Sequence, residues 1–238
     1  MELGGDLSQE VLESALPGRP VRWYPALLST HSDALAWARK GAPEGSVVAA
    51  DYQASPRGRA GLEWRVESGT DVSFSVILRP SLPVEREGWL YAVAAMALCD
   101  AVGEGSSIRW PDELIWESRT AGAAGVQAEL GPDGVLWAVV SVWLVRPAAE
   151  RAAAIRTLVD SLEARCAEDP DALLEDYRSS CATLGKRVRA RLIPMGPGGP
   201  QVSGEAVDVL QDGALVILNG QGRRVAVRPQ NLGLLEER

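Results

Sequence analysis

The chain has 238 residues, 46% of them hydrophobic, enough apolar material for one sizeable core with a small appended module. Its net charge of −8 opposes nonspecific attraction to phosphate backbones. It also holds neither an apolar run of membrane-spanning length nor a basic-then-apolar leader, so nucleic acid and membrane are poor partners and a cytoplasmic location is expected.

Residues 1–20 begin polar and end in the breaker cluster Pro17-Gly18-Arg19-Pro20, which reads as a lead-in. Val21-Arg22-Trp23-Tyr24 suggests a strand, and Ser32 to Arg39 a capped helix. Val47-Val48-Ala49-Ala50 is a buried-strand run that feeds the loop Ala54 to Gly61. Val72 to Leu78 alternates with period two, as a half-buried strand does, and Trp89 to Val102 is apolar nearly all round, the pattern of a central helix. Strands at 125–130 and 135–145 flank Gly131-Pro132-Asp133-Gly134, whose residue types suit a hairpin turn. Ile155, Leu158, Val159 and Leu162 mark an amphipathic helix, and Asp169-Pro170 separates it from a further helix reaching about Thr183. From Gly185 onward short alternating strands follow at 188–193, 205–210, 214–218 and 224–228, with Asn219-Gly220 as a tight-turn signal. The elements spell an α+β fold.

Cys99, Cys166 and Cys181 are widely separated and lie in apolar context, which reads as reduced packing thiols. His31 is the single histidine, so no multi-histidine metal cluster can form and no bound metal is expected. The local exception to the acidic character is Arg57-Gly58-Arg59, where two guanidiniums flanking a glycine can hold a small anion.

Several of these segments match one family in sequence order. Ser29-Thr30 resembles an S-T-N motif, and Gln53 to Trp64 resembles Q-T-A-G-R-G-R-x-G-R-x-W, keeping Gln53, Arg57, Gly58, Arg59, Gly61 and Trp64. Arg109-Trp110-Pro111-Asp112-Glu113-Leu114 resembles K-W-P-N-D-L, and Cys181 to Gly185 with Gly204 to Val216 resembles the lead into a C-terminal SH3-like module. The chain thus looks like the biotin/lipoate protein ligase family, without an N-terminal DNA-binding domain. The resemblance implies a mixed sheet flanked by helices over residues 21–186 and a small SH3-like barrel over 187–238. It also implies ATP, Mg2+ and biotin or a related carboxylic acid as ligands, and a biotin- or lipoate-type carrier domain as partner to a monomer or homodimer. By resemblance Ser29, Thr30, His31 and Gln53 would line the acyl site, Arg57, Gly58 and Arg59 would hold carboxylate and phosphate, and Trp64 would pack near the nucleotide.

The departures fall on the residues that do chemistry. His31 replaces the S-T-N asparagine, Pro56 the first loop glycine and Leu62 a loop arginine. Arg109, Asp112 and Glu113 replace the lysine, asparagine and aspartate of the signature hexamer. The family's lysine in R-K-x-A-G-I-L-x-E aligns with Gly122, and no lysine lies between Lys40 and Lys186; Arg119 is the nearest cation in sequence. Removing such a donor costs roughly 3 kcal/mol of transition-state stabilisation, about a hundredfold in rate. Ser141, Trp143 and Val145 occupy the G-I-G-I-N strand, where Trp143 would bring about 200 Å² of aromatic surface into ligand space. Arg109, Asp112 and Arg119 are therefore the candidate catalytic groups of a pseudo-ligase that keeps ligand or carrier binding. The alternative is an active ATP-dependent ligase that forms an acyl-adenylate and passes the acyl group to a carrier lysine.

Overall fold

A computed structural model describes residues 6–237. Its first sheet has seven strands: β1 (Val21–Leu27), β2 (Val47–Gln53), β3 (Val72–Leu78), β4 (Ser107–Arg109), β5 (Glu113–Trp116), β6 (Arg119–Gly131) and β7 (Gly134–Leu144). They are ordered β1-β2-β3-β7-β6-β5-β4, with β1 and β2 parallel and the other pairs antiparallel, so the sheet is mixed. Strand periodicity assigns its two faces. Val72, Phe74, Val76, Val140 and Val142 pack against the helices α3 (Trp89–Val102) and α4 (Arg151–Ala167). The intervening Val48, Ile77 and Val139 pack instead against Ala34 and Ala38 of α2 (Thr30–Arg39).

β3 is buried along its whole length, whereas its alternation of Ser73 and Ser75 with Val and Phe suggests one wet face. The reason is that α2 and the 54–64 loop cover the second face, so the serines become a buried polar floor. Helix α3 is buried throughout its first eleven residues, as its uniform apolarity requires.

α5 (Pro170–Ser180) is capped by Asp169, whose carboxylate accepts from the N–H groups of Asp171 and Ala172, and leads to a five-stranded antiparallel sheet. That sheet comprises β8 (Arg187–Leu192), β9 (Gln201–Val209), β10 (Leu215–Asn219), β11 (Arg224–Val227) and β12 (Leu232–Glu237). β12 has no counterpart in the sequence reading, because Gly233 interrupts its alternation. The Asn219-Gly220 signal becomes a wider turn in which Gly222 takes the positive φ, 74°, while the Asn219 side chain accepts from the N–H groups of Gln221 and Arg223. Trp110, 1% exposed, bridges the two sheets: its Nε1 donates to Gly213 O at 3.0 Å and its N–H to Thr183 Oγ1 at 3.0 Å. This placement makes the tryptophan of the signature hexamer part of the scaffold.

The first residues are more than a lead-in. Among the described ones, Gln9–Ala15 form α1, capped by Ser8, and Leu7, Leu12 and Leu16 are buried because i, i+4 spacing puts Leu12 and Leu16 on one face. Arg151 at the start of α4, 4% exposed, binds Asp6 (2.8 Å through Nε) and Asp51 of β2, fastening this segment to the sheet. Residues 1–5 of the expected lead-in lie outside the described residues. If α1 belongs to the core, Leu12→Ala should destabilise the protein by roughly 2–5 kcal/mol in urea unfolding. A loss below roughly 0.5 kcal/mol would mean the segment only rests on the surface.

Candidate functional site

The face of the sheet beneath α2 carries three cross-strand rows, fixed by register: Ser73–Trp143–Ala123, Ser75–Ser141–Gly125 and Ile77–Val139–Gln127. The middle row has small side chains, and a polar chain runs over it. Ser75 Oγ donates to Thr30 Oγ1 (3.0 Å) and meets Ser141 Oγ (2.9 Å); His31 bridges Ser141 (2.9 Å) and Gln127 (3.0 Å) through its two ring nitrogens. Gln53 accepts from the Thr30 N–H at 2.7 Å and donates to Ser73 Oγ at 2.6 Å. Ser29, 3% exposed, has a hydroxyl with no hydrogen-bond partner among the described residues. Ser29, Thr30, His31 and Gln53 are thus brought together, and all but Ser29 are occupied by one another or by the sheet.

The loop after β2 folds over this floor. Gly58 N–H donates to Leu62 O (2.8 Å), Trp64 N–H donates to Pro56 O (3.1 Å), and Ala60 and Gly61 turn through positive φ of 54° and 72°. A side chain at Gly125 would place its Cβ 2.8 Å from the Gly58 carbonyl carbon and 3.0 Å from the Arg59 nitrogen, so the loop backbone lies directly on β6. On its other side Gly58 packs against the Trp64 indole.

The two loop arginines point in opposite senses. Arg57 is exposed, donates to Ser55 Oγ (2.9 Å) and Gly61 O (3.0 Å), and makes no ion pair among the described residues. Arg59 is 6% exposed; its Nε faces both oxygens of Asp112 (3.1 and 3.3 Å) and its Nη1 donates to Leu232 O of β12. Burial pushes the Asp112 carboxyl up to about 6, against the opposing pull of Arg59. Arg109 pairs with Glu113 at 2.9 Å. Asp112 and Glu113 therefore do not fit a divalent cation, since both are spent on arginines, and the described residues contain no group of three or more metal-ligating side chains. Arg119 is exposed at the start of β6 and does not line the clefts described below. An added Cβ at Gly122 would sit 2.7 Å from Trp143 O and 3.4 Å from Leu98, so that position faces the core and has no room for a lysine.

Trp143 stacks on Trp64, ring centroids 6.2 Å apart and 30° between planes, and its Nε1 donates to Asp71 at 3.0 Å. The pair walls a cleft of about 300 Å³ with Arg59 and Asp112. A second cleft of about 590 Å³ lies on the other side of the loop, lined by Arg57, His31 and Gln127 together with Glu87, Tyr91 and Gln230. Asp71, Glu87, Tyr91, Gln127 and Gln230 escaped the sequence reading because they converge from four separate segments, with Glu87 and Tyr91 together at the start of α3. Ser73 and Ser75 carried a signal, polar residues recurring at period two in an apolar strand, that reads equally as a solvated face.

No family model matches the chain. A curated relative, the biotin–[acetyl-CoA-carboxylase] ligase of Mycobacterium tuberculosis, is 31% identical over 229 residues, covering 84% of this chain and 83% of that protein. The chain belongs to the biotin protein ligase family. A bifunctional ligase/repressor of Bacillus subtilis is 33% identical over 108 residues, 44% of this chain and 33% of its own length. The fold is that of a solved biotin protein ligase from Aquifex aeolicus in complex with biotin and ATP, with a TM-score of 0.68 at 18% identity over 92% of this chain and 99% of that one. A biotin protein ligase from Leishmania major in complex with biotinyl-5-AMP gives 0.57 at 16% identity over 87% and 98%. Among the described residues no helix is long and apolar enough to cross a membrane.

Asp112→Ala leaves the Arg59 charge buried and unpaired, and should cost about 3–5 kcal/mol in chemical unfolding, whereas the double variant Arg59→Met/Asp112→Leu should be near neutral. Burial lowers the His31 pKa below 6.5, so the unfolded chain binds its proton more readily than the folded one. Stability should fall as pH drops below about 6.5, and unfolding curves of His31→Asn should lack that component. An unchanged pH slope in the variant would assign the effect elsewhere.

Proposed function

We propose that this chain is a biotin protein ligase-like binding protein that holds a carboxylic acid of the biotin class in the cleft beside Arg57 and does not turn over ATP. The observation that carries this reading is the Trp64–Trp143 stack. In the family resemblance Trp64 packs near the nucleotide; here an indole from β7, tethered through Asp71, covers its face. Three further features agree. Arg59 is spent on Asp112 and a β12 carbonyl, Gly122 has no room for a lysine, and the signature carboxylates do not suit Mg2+. Without a cation near both the acyl carboxylate and the α-phosphate, the repulsion between two anions stays unopposed. The binding capacity rests on Arg57, whose guanidinium retains free donors in a cleft that His31 and Gln127 also line. The module boundaries at residues 20 and 186, a biotin- or lipoate-type carrier domain as partner, and a cytoplasmic site of action belong to this same reading.

The second reading, an active ATP-dependent ligase transferring biotin to a carrier lysine, is favoured by the identity shared with the Mycobacterium tuberculosis ligase. ATP–pyrophosphate exchange with biotin or lipoate separates the two: the binding-protein reading expects none above background. Turnover on the order of 1 s⁻¹ or faster would overturn it. Biotin should bind saturably by calorimetry, Arg57→Gln should weaken that binding by about tenfold or more, and Trp143→Gly should gain affinity for a non-hydrolysable ATP analogue that the parent protein lacks.

A further inference from the structure

The lining of the cleft beside Arg57 carries charge of both signs. Arg57 uses two of its N–H groups on Ser55 and Gly61, and the others, of the five a guanidinium carries, are directed to no described residue. Glu87, in the same lining, makes no ion pair among the described residues; Arg228, the cation that acts on it, is engaged by Asp212 at 3.3 Å. Burial raises the Glu87 pKa, with Arg228 opposing, the behaviour of a carboxylate that lacks a counter-charge. Beside it stands Gln230, brought in from the C-terminal sheet. Its Nε2 donates a long hydrogen bond to Glu87 Oε2 at 3.5 Å, and its Oε1 is buried with no hydrogen-bond partner among the described residues. Glu87 therefore has one neutral donor and no counter-charge, while Leu35, Val126 and Ala128 with the Tyr91 ring give the cleft an apolar lining. Tyr91 cannot supply the missing proton, because its hydroxyl already donates to Val126 O at 3.1 Å.

The geometry points to a zwitterionic ligand: an acid whose carboxylate meets Arg57 and whose far end carries a protonated amine that meets Glu87, with a short aliphatic chain between. A neutral-headed acid satisfies Arg57 only and leaves the Glu87 charge unmatched. A protonated amine delivers the positive charge that Glu87 lacks, so selectivity for the amine comes from pairing a carboxylate already partly desolvated. This inference rests on the reading of the cleft as a carboxylate site and specifies the class of acid it takes.

The test is calorimetric titration of the intact protein with 6-aminohexanoate and 8-aminooctanoate against hexanoate, octanoate and biotin. At least one amino acid should bind about tenfold or more tightly than the acid of the same chain length. Glu87→Gln, which preserves shape and is checked for an unchanged melting temperature, should abolish that preference while leaving the plain acid unaffected. Arg57→Gln should weaken amino acids and acids alike. Equal affinity for the paired ligands, or a preference that survives Glu87→Gln, overturns the zwitterion assignment while leaving the carboxylate site intact. Failure of every acid and amino acid to bind overturns both.

Discussion

The close approach of Gly58 to Gly125 sets the geometry of everything around it. Two residues without side chains let the loop backbone rest on β6, and a Cβ on the strand side would collide with the loop at 2.8 Å. With the loop at that height Trp64 covers Gly58, reaches Trp143, and the two indoles close over one side of the second face. The flanking arginines are forced apart for the same reason. Arg59 turns into the interior, where Asp112 and the Leu232 carbonyl receive it, and Arg57 turns out to the remaining cleft.

That division reassigns charge within a family site. A buried guanidinium between a carboxylate and a carbonyl of β12 serves the junction of the two sheets, and such a pair contributes little net stability while being costly to break. Trp110 acts at the same junction, donating to Gly213 O, so a signature motif and a phosphate-type loop both end up holding the C-terminal sheet in place. The cleft on the other side of the loop keeps Arg57 and Glu87 in its lining, neither of them in an ion pair among the described residues.

The floor also shows how a strand pattern acquires meaning from what covers it. Ser73, Ser75 and Ser141 are buried polar groups, and burial without partners would be expensive, so they are linked to Gln53, Thr30 and His31 in one continuous set of hydrogen bonds. The unpartnered Ser29 hydroxyl at its edge is the exception, and it sits where the family resemblance expects contact with an acyl ligand.

Periodicity and composition alone determined most elements and their order: the apolar central helix over 89–102, the hairpin around Pro132-Asp133, the capped helix after Asp169 and the shift to short strands beyond Gly185. These follow from local patterns of three to four or two residues, which act within one element. The motif order was enough to identify the family, and the lost lysine, asparagine and glycines were visible as substitutions. Only tertiary structure decided that Leu12 and Leu16 belong to the core, that β3 is covered on both faces, and that Arg59 faces Asp112 rather than a ligand. It alone joined Glu87 and Gln230, residues 143 positions apart, in the lining of one cleft. Such pairings depend on how far a loop can descend onto a sheet and where a second sheet docks, distances set by packing and recorded in no single stretch of sequence.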